Sequence, residues 1–320
     1  MFESRIDFSQ LNERTQAVRD AIGSRIVGQR SMIDLLLTAV LSEGHVLIEG
    51  VPGVAKTLTA KLLAHTIDAH FSRIQFTPDL MPSDITGSSV YLAAKGMFEF
   101  RRGPVFANII LTDEINRAPA KTQAALFEVM EERQITYDGV SYPMDDPFMV
   151  VATQNPIDQE GTYRLPEAQL DRFMFKILVG YPDTAQEVEI MQRHNDGLFA
   201  RSHDLPKLLN ADVIRSLRSS IRAVYVKPEL LRYMAELVTA TRGNPALYLG
   251  ASPRASVALL NGAKASAAMS GRDFVTPEDI QELAYPVLRH RILLAPEKEM
   301  EGLTADDLIK QTLQKIEIPR

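Results

Sequence analysis

The chain has 320 residues, 45% of them hydrophobic and 24% charged, with a formal net charge of −6 and no cysteine. These values suit a soluble globular protein of roughly two domains, and no apolar run approaches the roughly 20 residues needed to span a bilayer. Disulfides, thiolate metal sites and a cysteine nucleophile are excluded. The acidic balance, without a dense Lys/Arg block, argues against a nucleic-acid partner.

The first residues, 1–24, are acidic and polar at the start and unlike a signal peptide, so a cytoplasmic protein is expected. They read as an amphipathic helix. Short apolar runs at 46–49, 73–76, 108–111, 148–152 and 173–179 then alternate with helical patterns. Such alternation predicts an α/β fold, a parallel sheet with helices on both faces and ligands at the carboxyl ends of its strands. Two hairpins interrupt it, one turning at Asp138-Gly139 and a weaker one at Lys95-Gly96. Beyond Tyr181-Pro182-Asp183 the chain reads as helices, with entries at Asp183, Pro228, Ser252-Pro253 and Thr276-Pro277. A core over 1–182 and a smaller all-helical domain over 183–320 are therefore expected.

The first apolar run leads into Gly50-Val51-Pro52-Gly53-Val54-Ala55-Lys56-Thr57 and then, from Leu58, into a helix. A strand, a glycine-rich turn, Lys-Thr and a helix form the geometry that binds a triphosphate. Turn amides and the helix N-terminus face the anion, Lys56 reaches the β- and γ-phosphates, and Thr57 supplies a hydroxyl to Mg²⁺. The strict pattern wants glycine before the lysine, where this chain has Ala55. That position lies where the loop turns into helix, so alanine is expected to fit there without strain. Gly50 and Gly53 are expected to carry the unusual backbone angles.

The third run ends in Asp113-Glu114. Successive side chains at a strand end diverge, so Asp113 is read as the metal-side carboxylate and Glu114 as the base that polarises the attacking water. Seen alone, such a pair is a solvated strand end. Asn155, after the fourth run, is placed to hold the lytic water, although Asn-Pro after a strand is also a common turn.

Together with 112–119, 152–156, 165–173, Ile26-Val27-Gly28-Gln29 and 250–254, the phosphate loop closely resembles the MoxR family of AAA+ ATPases over essentially the whole chain. The resemblance implies a RecA-like αβα P-loop core with hairpin insertions and a helical lid, and a nucleotide (ATP or ADP, with Mg²⁺) between the subunits of a ring, usually a hexamer. It implies that Val27, Gly28 and Gln29 lie by the adenine, that Asn155 is the first sensor and that Arg254 is the second. Chaperone-like action is also implied, often with a protein bearing a von Willebrand factor A domain, in some members for maturing metal-dependent enzymes.

Phosphoryl transfer gains from an arginine supplied by a neighbour, and Arg172, just before the final strand, is assigned that part, with Arg164 as runner-up. The alternative is that Arg172 pairs with Asp171 or Glu167 on its own surface. Arg254, in a helix's first turn, needs a compensating anion, which is either a γ-phosphate or a carboxylate of the core. Whether it acts in cis or trans is open. A nucleotide-gated scaffold with incidental hydrolysis is the alternative to an ATP-driven remodeller.

Overall fold

The computed structural model describes residues 7–155, 163–197 and 205–319. The chain opens with α1 (Ser9–Gly23) and α2 (Arg30–Leu41). It continues through β1 (Val46–Gly50), α3 (Lys56–Thr66), β2 (Phe71–Gln75), α4 (Pro82–Thr86), β3 (Gly87–Leu92), β4 (Met97–Arg102) and β5 (Ile109–Asp113). Next come α5 (Ala120–Glu132), β6 (Gln134–Tyr137), β7 (Val140–Pro143), β8 (Met149–Gln154), α6 (Glu167–Leu170) and β9 (Phe175–Val179). Then follow α7 (Thr184–Asn195), α8 (Ala211–Arg222), α9 (Pro228–Arg242), β10 (Leu247–Leu249), α10 (Pro253–Met269), α11 (Pro277–Leu288), β11 (Leu293–Leu294), α12 (Pro296–Met300) and α13 (Ala305–Lys315). Residues 1–6 of the expected first helix, and Pro156 after the Asn155 strand, lie outside the described residues.

Five parallel strands form the central sheet in the order β2-β5-β8-β1-β9. Its strands are buried on both faces, and their alternation decides which core each side chain joins. Val46 and Ile48, Ile109 and Leu111, and Met149 and Val151 pack with α2 and α3. Leu47, Ile110, Val150 and Ala152 turn the other way, onto α5 with Leu126, Phe127 and Met130. The first of these cores runs on into the C-terminal helices, including Leu237, Leu259 and Leu283, so those helices share apolar packing with one face of the sheet.

The two expected hairpins are separate antiparallel pairs, β3 with β4 and β6 with β7. Asp138 (φ 50°) and Gly139 (φ 76°) turn the second through the left-handed angles that match strand twist. The hairpins touch through aromatic rings, because Phe100 stacks on Tyr137 at 4.9 Å and on Tyr142 at 4.6 Å.

The C-terminal helices begin where the side chains predict. Asp183 accepts a hydrogen bond from Gln186 N in a capping box, and Ser252 Oγ accepts from Arg254 N. A short antiparallel pair, β10 with β11, joins this helical region. Runs of three and two residues leave no periodic signal in the sequence.

Candidate functional site

The phosphate loop joins the end of β1 to α3, and two of its residues behave differently from the sequence expectation. Ala55 has φ 62° and ψ 18°, in the left-handed region. The alanine therefore carries the angle that the strict pattern reserves for glycine, and the expectation of an unstrained fit is corrected. Gly53 is left-handed (φ 87°), as expected, but Gly50 is not. Gly50 is needed for a different reason: a Cβ there would stand 2.5 Å from the backbone oxygen of Val179 on β9. Val54 is buried and Leu58 packs against the same core, anchoring the loop, while Pro52 is exposed.

Lys56 Nζ donates to Gly50 O at 2.5 Å, so the ammonium lies folded back across the loop. Burial pushes its pKa down, against the opposing pull of Asp113, Glu114 and Glu49.

Asp113 ends β5 and is 7% exposed. Its Oδ1 accepts from Thr153 Oγ1 at 3.0 Å, and its Oδ2 takes Arg73 Nε at 2.6 Å with Thr57 Oγ1 at 3.5 Å. At 3.5 Å the Thr57 contact is long for a hydroxyl bond, yet it leaves two oxygens facing one space. Oxygen donors of this kind, few in number and completed by phosphate and water, suit Mg²⁺. Among the described residues no cluster of three or more His, Cys, Asp or Glu forms a self-sufficient metal cage.

Glu114 follows in a left-handed conformation (φ 57°), which turns its carboxylate away from that of Asp113. Its Oε2 accepts from Gln75 Nε2 at 2.9 Å and pairs with Arg117 Nε at 3.1 Å, while its amide donates to Thr153 Oγ1. Thr153 thus links the two acidic residues through one hydroxyl. Asn155 stands one step beyond the Glu49–Gln154 register pair, level with Gly50 across β1 and β8. Arg73 and Gln75 gave no signal as site residues in the sequence, and Thr153 stood out only within the block 152–156, because strand order, not spacing, brings them to the carboxylates.

Val27, Gly28 and Gln29 line a cavity of about 410 Å³ with Gly23, Ile33 and Arg193. Helix α7 closes one side of it. Arg193 Nη1 donates to Gly23 O at 2.9 Å, and a Cβ on Gly28 (φ 78°) would collide with the Gln186 amide at 2.6 Å.

Arg172 and Arg254 lie at the opposite end of the sheet. The register pairs Val46, the first residue of β1, with Phe175, the first of β9, and Arg172 comes three residues earlier. Helix α5 runs back to the same end, where Met130 O meets His45 Nε2 at 3.2 Å just before β1. There Arg172 Nε pairs with Glu131 Oε2 at 3.4 Å and its Nη1 donates to Phe127 O at 2.6 Å. Arg254 Nη2 pairs with Glu131 Oε1 at 2.7 Å. The partner of Arg172 is therefore Glu131, where the sequence suggested Asp171 or Glu167, and Arg254 takes a carboxylate of the sheet-bearing half.

Asp171 instead ties the two halves together. It accepts from Ser252 Oγ, the cap of α10, and from Arg291, which also bonds Phe173 O and Met174 O. Burial lowers the Arg291 pKa to about 10 without discharging it near neutrality. Arg164 is exposed and lines a cavity of about 470 Å³ between the sheet and the C-terminal helices.

His45 fixes this end of the sheet. Its Nε2 faces Met130 O and its Nδ1 accepts from Val150 N at 3.0 Å, so the neutral ring bridges α5 to β8. Burial pushes its pKa down to about 4.

Residues 45–175 match the model of an ATPase family associated with various cellular activities (AAA), and residues 239–312 match the AAA lid domain. Among curated relatives, the protein YeaC of Bacillus subtilis, itself uncharacterized, is 46% identical over 92% of this chain and 91% of its own. Chaperone MoxR1 of Mycobacterium tuberculosis is 43% identical over 92% of this chain and 80% of its own. Protein MoxR of Methylorubrum extorquens is 30% identical over 93% of each. The crystal structure of a candidate ATPase from Cytophaga hutchinsonii superposes with a TM-score of 0.91 at 45% identity, covering 98% of this chain and 97% of that one. No described helix is long and apolar enough to cross a membrane.

Proposed function

Since the chain belongs to the MoxR family of AAA+ ATPases, we propose that it binds Mg·ATP at the junctions of a homo-oligomeric ring of six subunits. There it hydrolyses ATP to ADP and phosphate and uses the cycle to remodel partner proteins. Its two units are residues 1–182, carrying the phosphate loop, and 183–320, the lid. The clients are separate cytoplasmic polypeptides. Proteins with a von Willebrand factor A domain, and metal-dependent enzymes under maturation, are the first classes to test, in keeping with the chaperone named among the relatives.

In this reading the amides of the phosphate loop and Lys56 hold the triphosphate, and the base sits in the cavity beside Val27, Gly28 and Gln29. Thr57 and Asp113 would hold Mg²⁺, which neutralises charge on the β- and γ-phosphates when bound. Glu114, oriented by Gln75 and Arg117, accepts a proton from the water that attacks the γ-phosphorus in line. Asn155 hydrogen-bonds that water. Arg172 and Arg254 serve the nucleotide of the adjoining subunit.

What supports a shared site is the polarity of the sheet. Lys56, Asp113 and Glu114 gather at the carboxyl ends of the strands, and Arg172 and Arg254 at the amino ends. Five residues of β1, about 16 Å at strand rise, separate the two groups, and the fixed Asp171–Ser252 and Asp171–Arg291 bonds hold the arginines there. A group so placed cannot reach its own subunit's γ-phosphate. It can reach a neighbour's in a head-to-tail ring.

Melting curves and phosphate release with Mg·ATP test the reading. Wild type is stabilised by nucleotide and turns it over. Glu114→Gln keeps the stabilisation and loses turnover, whereas Lys56→Ala loses both. Clients still activated by Glu114→Gln would favour a scaffold gated by binding alone. A folded wild-type chain that does not respond to millimolar Mg·ATP overturns nucleotide binding itself.

A further inference from the structure

Glu131 holds both arginines at once, one on each carboxylate oxygen: Arg254 on Oε1 at 2.7 Å and Arg172 on Oε2 at 3.4 Å. A carboxylate bridging two guanidiniums offers them a negative charge and a pair of acceptor oxygens, as a phosphoryl group also does. All three side chains are partly open to solvent, at 31% for Arg172, 41% for Glu131 and 47% for Arg254. They lie on the surface, where an incoming anion can reach them. The backbone around them is anchored elsewhere. Arg172 N donates to Gln169 O at 3.2 Å, its guanidinium keeps a second bond to Phe127 O, and the Arg254 helix is tied down through Ser252 and Asp171. Losing Glu131 would free the Arg254 head, leave the Arg172 guanidinium on Phe127 O alone, and leave both main chains in place.

We propose that Glu131 is a stand-in anion: in the lone subunit it holds Arg172 and Arg254 paired, and it gives them up when a neighbouring subunit presents its γ-phosphate. This rests on the reading that both arginines serve a neighbour's nucleotide. Glu131 is then a competing anion whose cost appears on assembly. Each new junction exchanges two carboxylate pairs for phosphate pairs, so Glu131 competes with the ligand the arginines are meant for. Two half-exposed pairs of this kind correspond to about a two- to tenfold change in an equilibrium constant.

Steady-state ATP hydrolysis by the full-length chain, titrated in both ATP and protein, distinguishes this role from that of a structural prop. Glu131→Gln removes the charge and keeps the shape, and Glu131→Ala removes both. For both variants the half-saturating concentration of ATP or of protein should fall about two- to tenfold, with no fall in kcat. An unchanged half-saturation, or a kcat reduced tenfold or more, overturns the proposal, because a prop that aims the arginines would cost turnover when removed. Arg172→Ala, measured alongside, separates this failure from that of the underlying reading. If it retains wild-type kcat, Arg172 serves no neighbour and the reading falls. If it loses kcat while the Glu131 variants keep wild-type half-saturation, the reading stands and only the stand-in role falls.

Discussion

Replacing His45 should flatten the acid side of the stability profile. The folded chain keeps this imidazole neutral between Met130 O and Val150 N, and its pKa falls from 6.5 to about 4. In the unfolded chain it titrates at its ordinary value, so below pH 6.5 the unfolded state binds a proton that the native state refuses. Stability therefore falls with falling pH between about 6.5 and 4, and this contribution stops changing below that window. A displacement of that size corresponds to a loss of about 2 kcal/mol by pH 5 and about 3 kcal/mol by pH 3.5. His45→Gln cannot titrate. It starts less stable at pH 7.5, because a flexible amide replaces the fitted, buried ring between Met130 O and Val150 N, but its decline with acid should be shallower than wild type by those amounts. Urea unfolding at pH 7.5, 6, 5 and 4, read by circular dichroism, gives the comparison. Parallel profiles for the two proteins would refute the assignment of a buried neutral bridge.

Substitutions at three further positions test the phosphate loop and the joint between the halves. Ala55→Gly relieves a left-handed alanine and should stabilise the chain by about 1 kcal/mol at most, after the added flexibility of the unfolded state is counted, whereas Ala55→Val should destabilise it by more than that; denaturant midpoints read both. Gly50→Ala drives a methyl against Val179 O and should cost about 1–3 kcal/mol. It should also weaken Mg·ATP binding by calorimetry, since β1 carries the loop. Asp171→Ala strands the buried Arg291 cation and should cost about 3–5 kcal/mol, lowering the melting temperature of the chain without nucleotide.

The strand–turn–helix of the loop was legible in the sequence because its parts are contiguous. Strand, turn, Lys56, Thr57 and helix lie within a few residues, and their spacing is the signal. The parallel sheet followed from alternating patterns for the same reason. What could not be read depends on neighbours that only topology provides. Arg73 and Gln75 reach Asp113 and Glu114 because β2 lies beside β5, and no spacing announces that order. Glu131 meets Arg172 and Arg254 across 41 and 123 positions of chain. Gly50 looked like a turn glycine, but what it avoids is a clash with a strand more than a hundred residues further on. Ala55 looked harmless because a letter carries no dihedral angle.

A shared active site is tested most directly by mixing two disabled proteins. Arg172→Ala lacks the arginine it lends and Glu114→Gln lacks its own base, so each alone should lose on the order of 10² to 10⁵ in turnover. Combined in equal amounts with Mg·ATP, they form junctions in which an intact Glu114 faces an intact Arg172, and turnover should return to about a quarter of the wild-type rate for random assembly into a closed head-to-tail ring. Mixtures that stay as inactive as their components, although sedimentation shows co-assembled rings, would contradict hydrolysis completed across the subunit boundary.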